Sequence, residues 1–86
     1  MLVMILETVP PSLRGELSRW LIEIKSGIFI GSVSALVRDQ LWELCGQKIK
    51  KGGMWQIYHS NNEQGFNMRQ FGNTGKVIVD LEGVSF

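Results

Sequence analysis

The chain has little of what most catalysis and metal binding require. It carries one cysteine and one histidine. A lone Cys45 excludes an internal disulfide and a cysteine-cluster zinc site; its plain role is that of a small core residue in a helix. His59, with no second histidine and no cysteine pair, cannot seed a metal cluster within one chain. No Ser–His–acid constellation stands out, and no G-x-x-x-x-G-K phosphate loop is present. The longest apolar run, residues 1–6, is far short of the ~20 residues that span a bilayer. No basic segment precedes it and no small-residue cleavage site follows it, which excludes a signal peptide. There is no internal repeat and no low-complexity stretch. The net charge of +1 does not announce a nucleic-acid binder, nor does it forbid one, because a dimer can gather its basic side chains on one ridge.

What is there is a single domain of 86 residues with 44% hydrophobic content, a normal globular composition. A chain this short buries only roughly 60–68% of its unfolded surface, so association with another copy would help it. Residues 1–6 predict a strand apolar on both faces, with Leu2, Met4 and Leu6 on one side and Val3 and Ile5 on the other. Glu7 closes it, and Pro10 and Pro11 break the run. Residues 12–25 predict an amphipathic helix with Leu13, Leu17, Trp20, Leu21 and Ile24 on one stripe. Gly15 within it either permits close approach of another backbone or is a tolerated defect. Residues 27–31 predict a strand.

A second helix follows, capped by Ser32 or Ser34. Its inner stripe is Val33, Val37, Leu41, Leu44 and Ile49, flanked by Trp42 and Cys45, and its last turn carries Lys48, Lys50 and Lys51. Residues 54–60 and 66–71 read as a hairpin, residues 72–75 as a turn and residues 76–81 as a last strand. The expected fold is an α+β sandwich of the ferredoxin-like type, in the order β-α-β-α-β-β-β. It forms one domain over residues 1–81, followed by a tail over 82–86. Two helices can cover only one sheet face. The other would expose more apolar surface than a monomer tolerates, which predicts a homodimer packed sheet to sheet.

Two side chains could carry chemistry. Glu7 is a carboxylate at a strand end; two copies meeting across a two-fold axis would share a proton or a divalent cation. Arg14, at the start of the first helix, would join free backbone N–H groups in a phosphate seat, extended by Arg19, Arg38 and Lys76 if these lie on the same ridge.

Here the residues become recognisable. The stretch ETVPPSLRGELSRWLIEIKSGIFIGSVSALVRDQLWE, a hairpin containing GF, and the ending FGNTGKVIVDLEG together resemble the small CRISPR-associated protein two of the type I-E subtype. The likeness runs from Met1 to about Glu82. It implies a ferredoxin-like fold, a symmetric dimer and a place in prokaryotic, cytoplasmic antiviral defence. The dimer would be the hub of the spacer-acquisition complex, flanked by two dimers of the integrase partner, CRISPR-associated protein one. It would act as scaffold and ruler for a short foreign DNA duplex, while the partner performs strand transfer.

Position by position, Arg14 in the LRG motif and Lys76 after FG match phosphate-contacting positions. The basic neighbour of Lys76 is replaced by Gly75, and another basic family position falls at Leu36, two before Arg38. Val84, Ser85 and Phe86 would begin the tail that pairs with the integrase. Relatives of other subtypes carry an aspartate where this chain has Glu7 and are described as metal-dependent nucleases. The alternative function is therefore a magnesium-dependent endoribonuclease or endodeoxyribonuclease with paired Glu7 as catalytic and metal-binding residue.

Overall fold

A computed structural model describes residues 1–72. The expected turn at 72–75 falls largely beyond them. The strand at 76–81, Lys76 and the tail with Val84, Ser85 and Phe86 lie outside them altogether. The described elements are β1 (Leu2–Leu6), α1 (Pro11–Leu17), β2 (Ile22–Lys25), β3 (Ile28–Gly31), α2 (Ala35–Lys48), β4 (Gly53–His59) and β5 (Phe66–Gly72). They form one five-stranded sheet in the order β2-β3-β1-β4-β5, antiparallel throughout. No helix among the described residues is long and apolar enough to cross a membrane.

The class α+β is as expected, but the order is not: it is β-α-β-β-α-β-β. The helix expected over 12–25 stops at Leu17, and residues 22–25 pair antiparallel with β3. Two patterns overlap there. Leu13, Leu17 and Leu21 keep a four-residue spacing and all three are buried, which imitates a continuing helix. The segment Ile-Glu-Ile-Lys alternates in the two-residue period of a strand, with β-branched residues that favour extended backbone. Between them the chain loosens: Arg19 and Trp20 donate to carbonyls three residues back, the tighter spacing that commonly ends a helix. Trp20 and Ile24, assigned to the buried stripe, are exposed.

Each helix joins strands that are not neighbours. β3 lies between β1 and β2, and β1 between β3 and β4. The two crossovers interleave and both helices pack on one face. The core there is Leu2, Met4, Leu6, Phe29 and Met54 from the strands, with Leu13 and Leu17 from α1 and Leu41 and Cys45 from α2. The expected helical stripe is thus shifted: Leu41 and Cys45 are its centre, while Val33, Val37, Trp42, Leu44 and Ile49 pack around it. Burial holds the Cys45 thiol in its protonated form, its pKa pushed up to about 12. Ser34, rather than Ser32, caps α2 by accepting from Val37 N–H at 3.2 Å. The helix ends at Lys48, so Lys50 and Lys51 lie beyond its last turn.

The close backbone approach sits at Gly31 rather than Gly15. A Cβ at Gly31 would meet Leu21 Cδ2 at 2.7 Å and Trp20 O at 3.1 Å, whereas nothing described lies within 4 Å of one at Gly15. Gly27, at the β2–β3 turn, has φ +83° and faces the Leu6 carbonyl oxygen. Opposite signs follow for two identical substitutions. Gly27→Ala should lower the stability read by urea unfolding by about 1–3 kcal/mol, and Gly15→Ala should raise it by about 0.5–1 kcal/mol.

Candidate nucleic-acid interface

The helix-covered face of the sheet has one cross-strand row that ends in charge on both sides. Register places Glu23, Phe29, Met4, Gln56 and Arg69 side by side across the five strands. The middle three are fully buried. The charged ends each reach up to a helix: Glu23 to Arg14 of α1 and Arg69 to Asp39 of α2. Hydrogen bonds to ionised groups are the stronger kind, so each end of the row ties one helix to the outer strand beneath it.

The helix is seven residues long and begins at Pro11, so Arg14, its fourth residue, also falls in its last turn. A cation there is aligned with the helix dipole rather than opposed to it. The backbone N–H of Arg14 donates to the Pro10 carbonyl, so it is not available to an anion, and Pro11 has none to offer. Neither residue therefore lends an N–H to the expected first-turn phosphate seat. Arg14 Nε donates to both carboxylate oxygens of Glu23, at 3.0 and 3.1 Å. The Arg14 side chain keeps 41% of its exposure against 20% for Glu23. Glu23 titrates below the usual carboxylate range, first because Gly27 N–H donates to it and then because of Arg14.

At the other end, Asp39 Oδ1 accepts from Arg38 Nε at 3.0 Å and from Arg69 Nη2 at 2.6 Å. The Arg38 guanidinium lies 4.0 Å from the centre of the Tyr58 ring. Arg69 lies 5.3 Å from Tyr58 and 5.8 Å from Trp42, distances at which ring quadrupoles attract cations. Trp42 in turn meets Phe71 edge to face. Beneath them, buried Gln56 donates from Nε2 to the Arg38 carbonyl at 2.9 Å, while its Oε1 has no partner among the described residues. Arg38 is thus held to its own strand-facing side, about a fifth exposed. Asp39 and Arg69 were not anticipated as part of any site. They are thirty residues apart, and only the β4–β5 register and the placement of α2 bring them together.

The remaining candidates are dispersed. Arg19 is largely exposed and 3.9 Å from Glu16 Oε1, a pairing that contributes little in water. It shares the α1 end of the molecule with Arg14, whereas Arg38 belongs to α2 and the hairpin. Glu7 Oε1 accepts from Gly53 N–H at 2.7 Å, and Glu7 N–H donates to Gly53 O at 3.0 Å. Its carboxylate therefore fastens the end of β1 to the start of β4. Glu7 belongs to no group of three or more His, Cys, Asp or Glu side chains among the described residues. His59 is exposed at the end of β4.

Among the described residues, no helix packs on the opposite face of the sheet. Its rows are Ile22, Ile30, Val3, Ile57 and Met68, and Lys25, Ile28, Ile5, Trp55 and Gln70. Ile22 and Lys25, at the β2 edge, are exposed, and the rest are half-buried. The described residues thus form a small α+β protein with both helices on one face of an antiparallel sheet and arginines at two of its corners. The family described as CRISPR-associated protein (Cas_Cas2CT1978) matches residues 1–86. The chain belongs to that family, a Cas2 of type I-E, and membership implies a role in spacer acquisition.

The ion pairs make a pH prediction. Arg38, and then Arg69, hold Asp39 below the usual aspartate range. A carboxyl depressed on folding stabilises the fold above its unfolded pKa, and that contribution is lost as pH falls through the folded one. Asp39→Asn should therefore be less stable than the wild type near neutrality and should converge with it only as pH falls below the usual aspartate range. Thermal unfolding across that range checks this.

Proposed function

We propose that this chain is the dimeric scaffold of the CRISPR adaptation complex. Two copies pack the bare faces of their ferredoxin-like sheets together, lay duplex DNA across basic side chains, and bridge dimers of the integrase, CRISPR-associated protein one. The observation that carries the reading is the sheet face that no described helix covers: four of its five strands contribute apolar residues along a single row from Ile30 to Met68, and Ile22 of the fifth extends it. A contiguous apolar row of this kind suits burial against a second copy, and the chain's family supplies the setting.

Within this reading Arg14 is the principal phosphate contact, because its side chain remains 41% exposed while anchored at Nε. Arg19 lies two residues past the end of α1 and extends the positive edge. Arg38 is a lesser contact, since Asp39 and Tyr58 already hold it. Lys76 is the further phosphate contact, and Val84, Ser85 and Phe86 begin the segment that meets the integrase. The alternative, a magnesium-dependent endonuclease using paired Glu7, draws less support because that carboxylate is engaged in joining β1 to β4.

Arg14→Ala tests the assignment. In complex with the integrase partner, the variant should bind duplex DNA more weakly, and the slope of log affinity against log salt should shrink by roughly 0.9 for each phosphate that is no longer neutralised. Unchanged affinity and slope would place the duplex elsewhere.

A further inference from the structure

Glu23 is the most tightly engaged acid near the proposed DNA surface. Its Oε2 accepts from Arg14 Nε at 3.1 Å and from Gly27 N–H at 3.0 Å, and its Oε1 accepts from the same Nε at 3.0 Å. Gly27 is itself fixed, because its carbonyl accepts from Leu6 N–H at 2.8 Å. The chain of bonds runs from the central strand β1, through the β2–β3 turn, to the carboxylate and then to the guanidinium. An arginine side chain otherwise loses considerable rotamer freedom when it grips a ligand. Here that freedom is already removed.

Both bonds leave from Nε, one of the five N–H groups of a guanidinium. The four on the terminal nitrogens form the edge that matches two phosphate oxygens.

We propose that Glu23 is the positioning residue for Arg14: it grips Nε from below and aims the terminal N–H edge at a phosphodiester of the bound duplex. The proposal rests on the reading of Arg14 as a phosphate contact. It assigns to an acid a favourable part in binding an anion, because fixing the geometry outweighs the repulsion its charge adds. Reach then matters more than charge. Glu23→Gln keeps the length and can place its amide oxygen where Oε2 is, accepting from both Gly27 and Arg14. Glu23→Asp keeps the charge and withdraws it by one methylene.

The test measures affinity for a fluorescein-labelled blunt DNA duplex at fixed salt for the wild type, Arg14→Ala, Glu23→Ala, Glu23→Gln, Glu23→Asp and the Arg14→Ala/Glu23→Ala double variant. The side-chain Nε–H resonance of Arg14 is followed by nitrogen-15 NMR. Arg14→Ala and Glu23→Ala should each weaken binding roughly tenfold, with the double variant no weaker than Arg14→Ala alone. Glu23→Gln should stay near the wild type and keep a slowly exchanging Nε–H signal, and Glu23→Asp should lose both.

The reverse order, with Glu23→Gln tighter than the wild type and Glu23→Asp unchanged, would overturn the proposal and make Glu23 a competitor of DNA. Should Glu23→Ala fail to fold, the Gln and Asp variants decide alone. A normal affinity in Arg14→Ala would instead refute the phosphate contact itself, and Glu23 would then position nothing.

Discussion

One sheet with both helices on the same side is the constraint from which the rest of this molecule follows. The interleaved crossovers put α1 and α2 over Phe29, Met4 and Met54, where burial is complete. Nothing in the described chain can then cover the reverse side, and that side is apolar from Ile22 at one edge to Met68 at the other. Burying apolar area contributes about 25 cal/mol per Å². A chain of this length has little internal core to spare. In the proposed dimer, association through this face would add to the stability of the fold.

The covered face has its own economy. A single row across the sheet is apolar or amide in the middle and ionic at the ends, and each end takes hold of one helix. Arg14 and Arg69 are structural cations before they are anything else, since each secures a helix to an outer strand. They differ in what is left over. Arg69 is folded against Tyr58, Trp42 and Asp39. Arg14 is gripped through one nitrogen and otherwise reaches solvent. In the proposed role as a DNA scaffold, a cation whose direction is set by the fold would be an advantage.

Much of this was legible in the sequence wherever one period acted alone. The alternation in residues 1–6 gives the two faces of β1, with Leu2, Met4 and Leu6 inward. The hairpin of β4 and β5 follows from its polar turn, and the bare face follows from counting helices against apolar strand sides. Legibility failed where two periods overlapped. Leu13, Leu17 and Leu21 extended the helical spacing through a segment whose Ile-Glu-Ile-Lys alternation marks β2, and the shorter helix that results carries Arg14 in its last turn. The ion pairs were illegible for another reason. Glu23 was visible only as part of a family motif, and Asp39 with Arg69 depends on a register that no local pattern encodes.

Sedimentation of the purified chain at micromolar concentration bears most directly on this account. A species of about twice the 9.7 kDa chain mass, reduced to a single chain by Ile57→Glu on the bare face, is the predicted result. A wild-type chain that sediments as a monomer, with its isoleucine-lined sheet open to water, would contradict it.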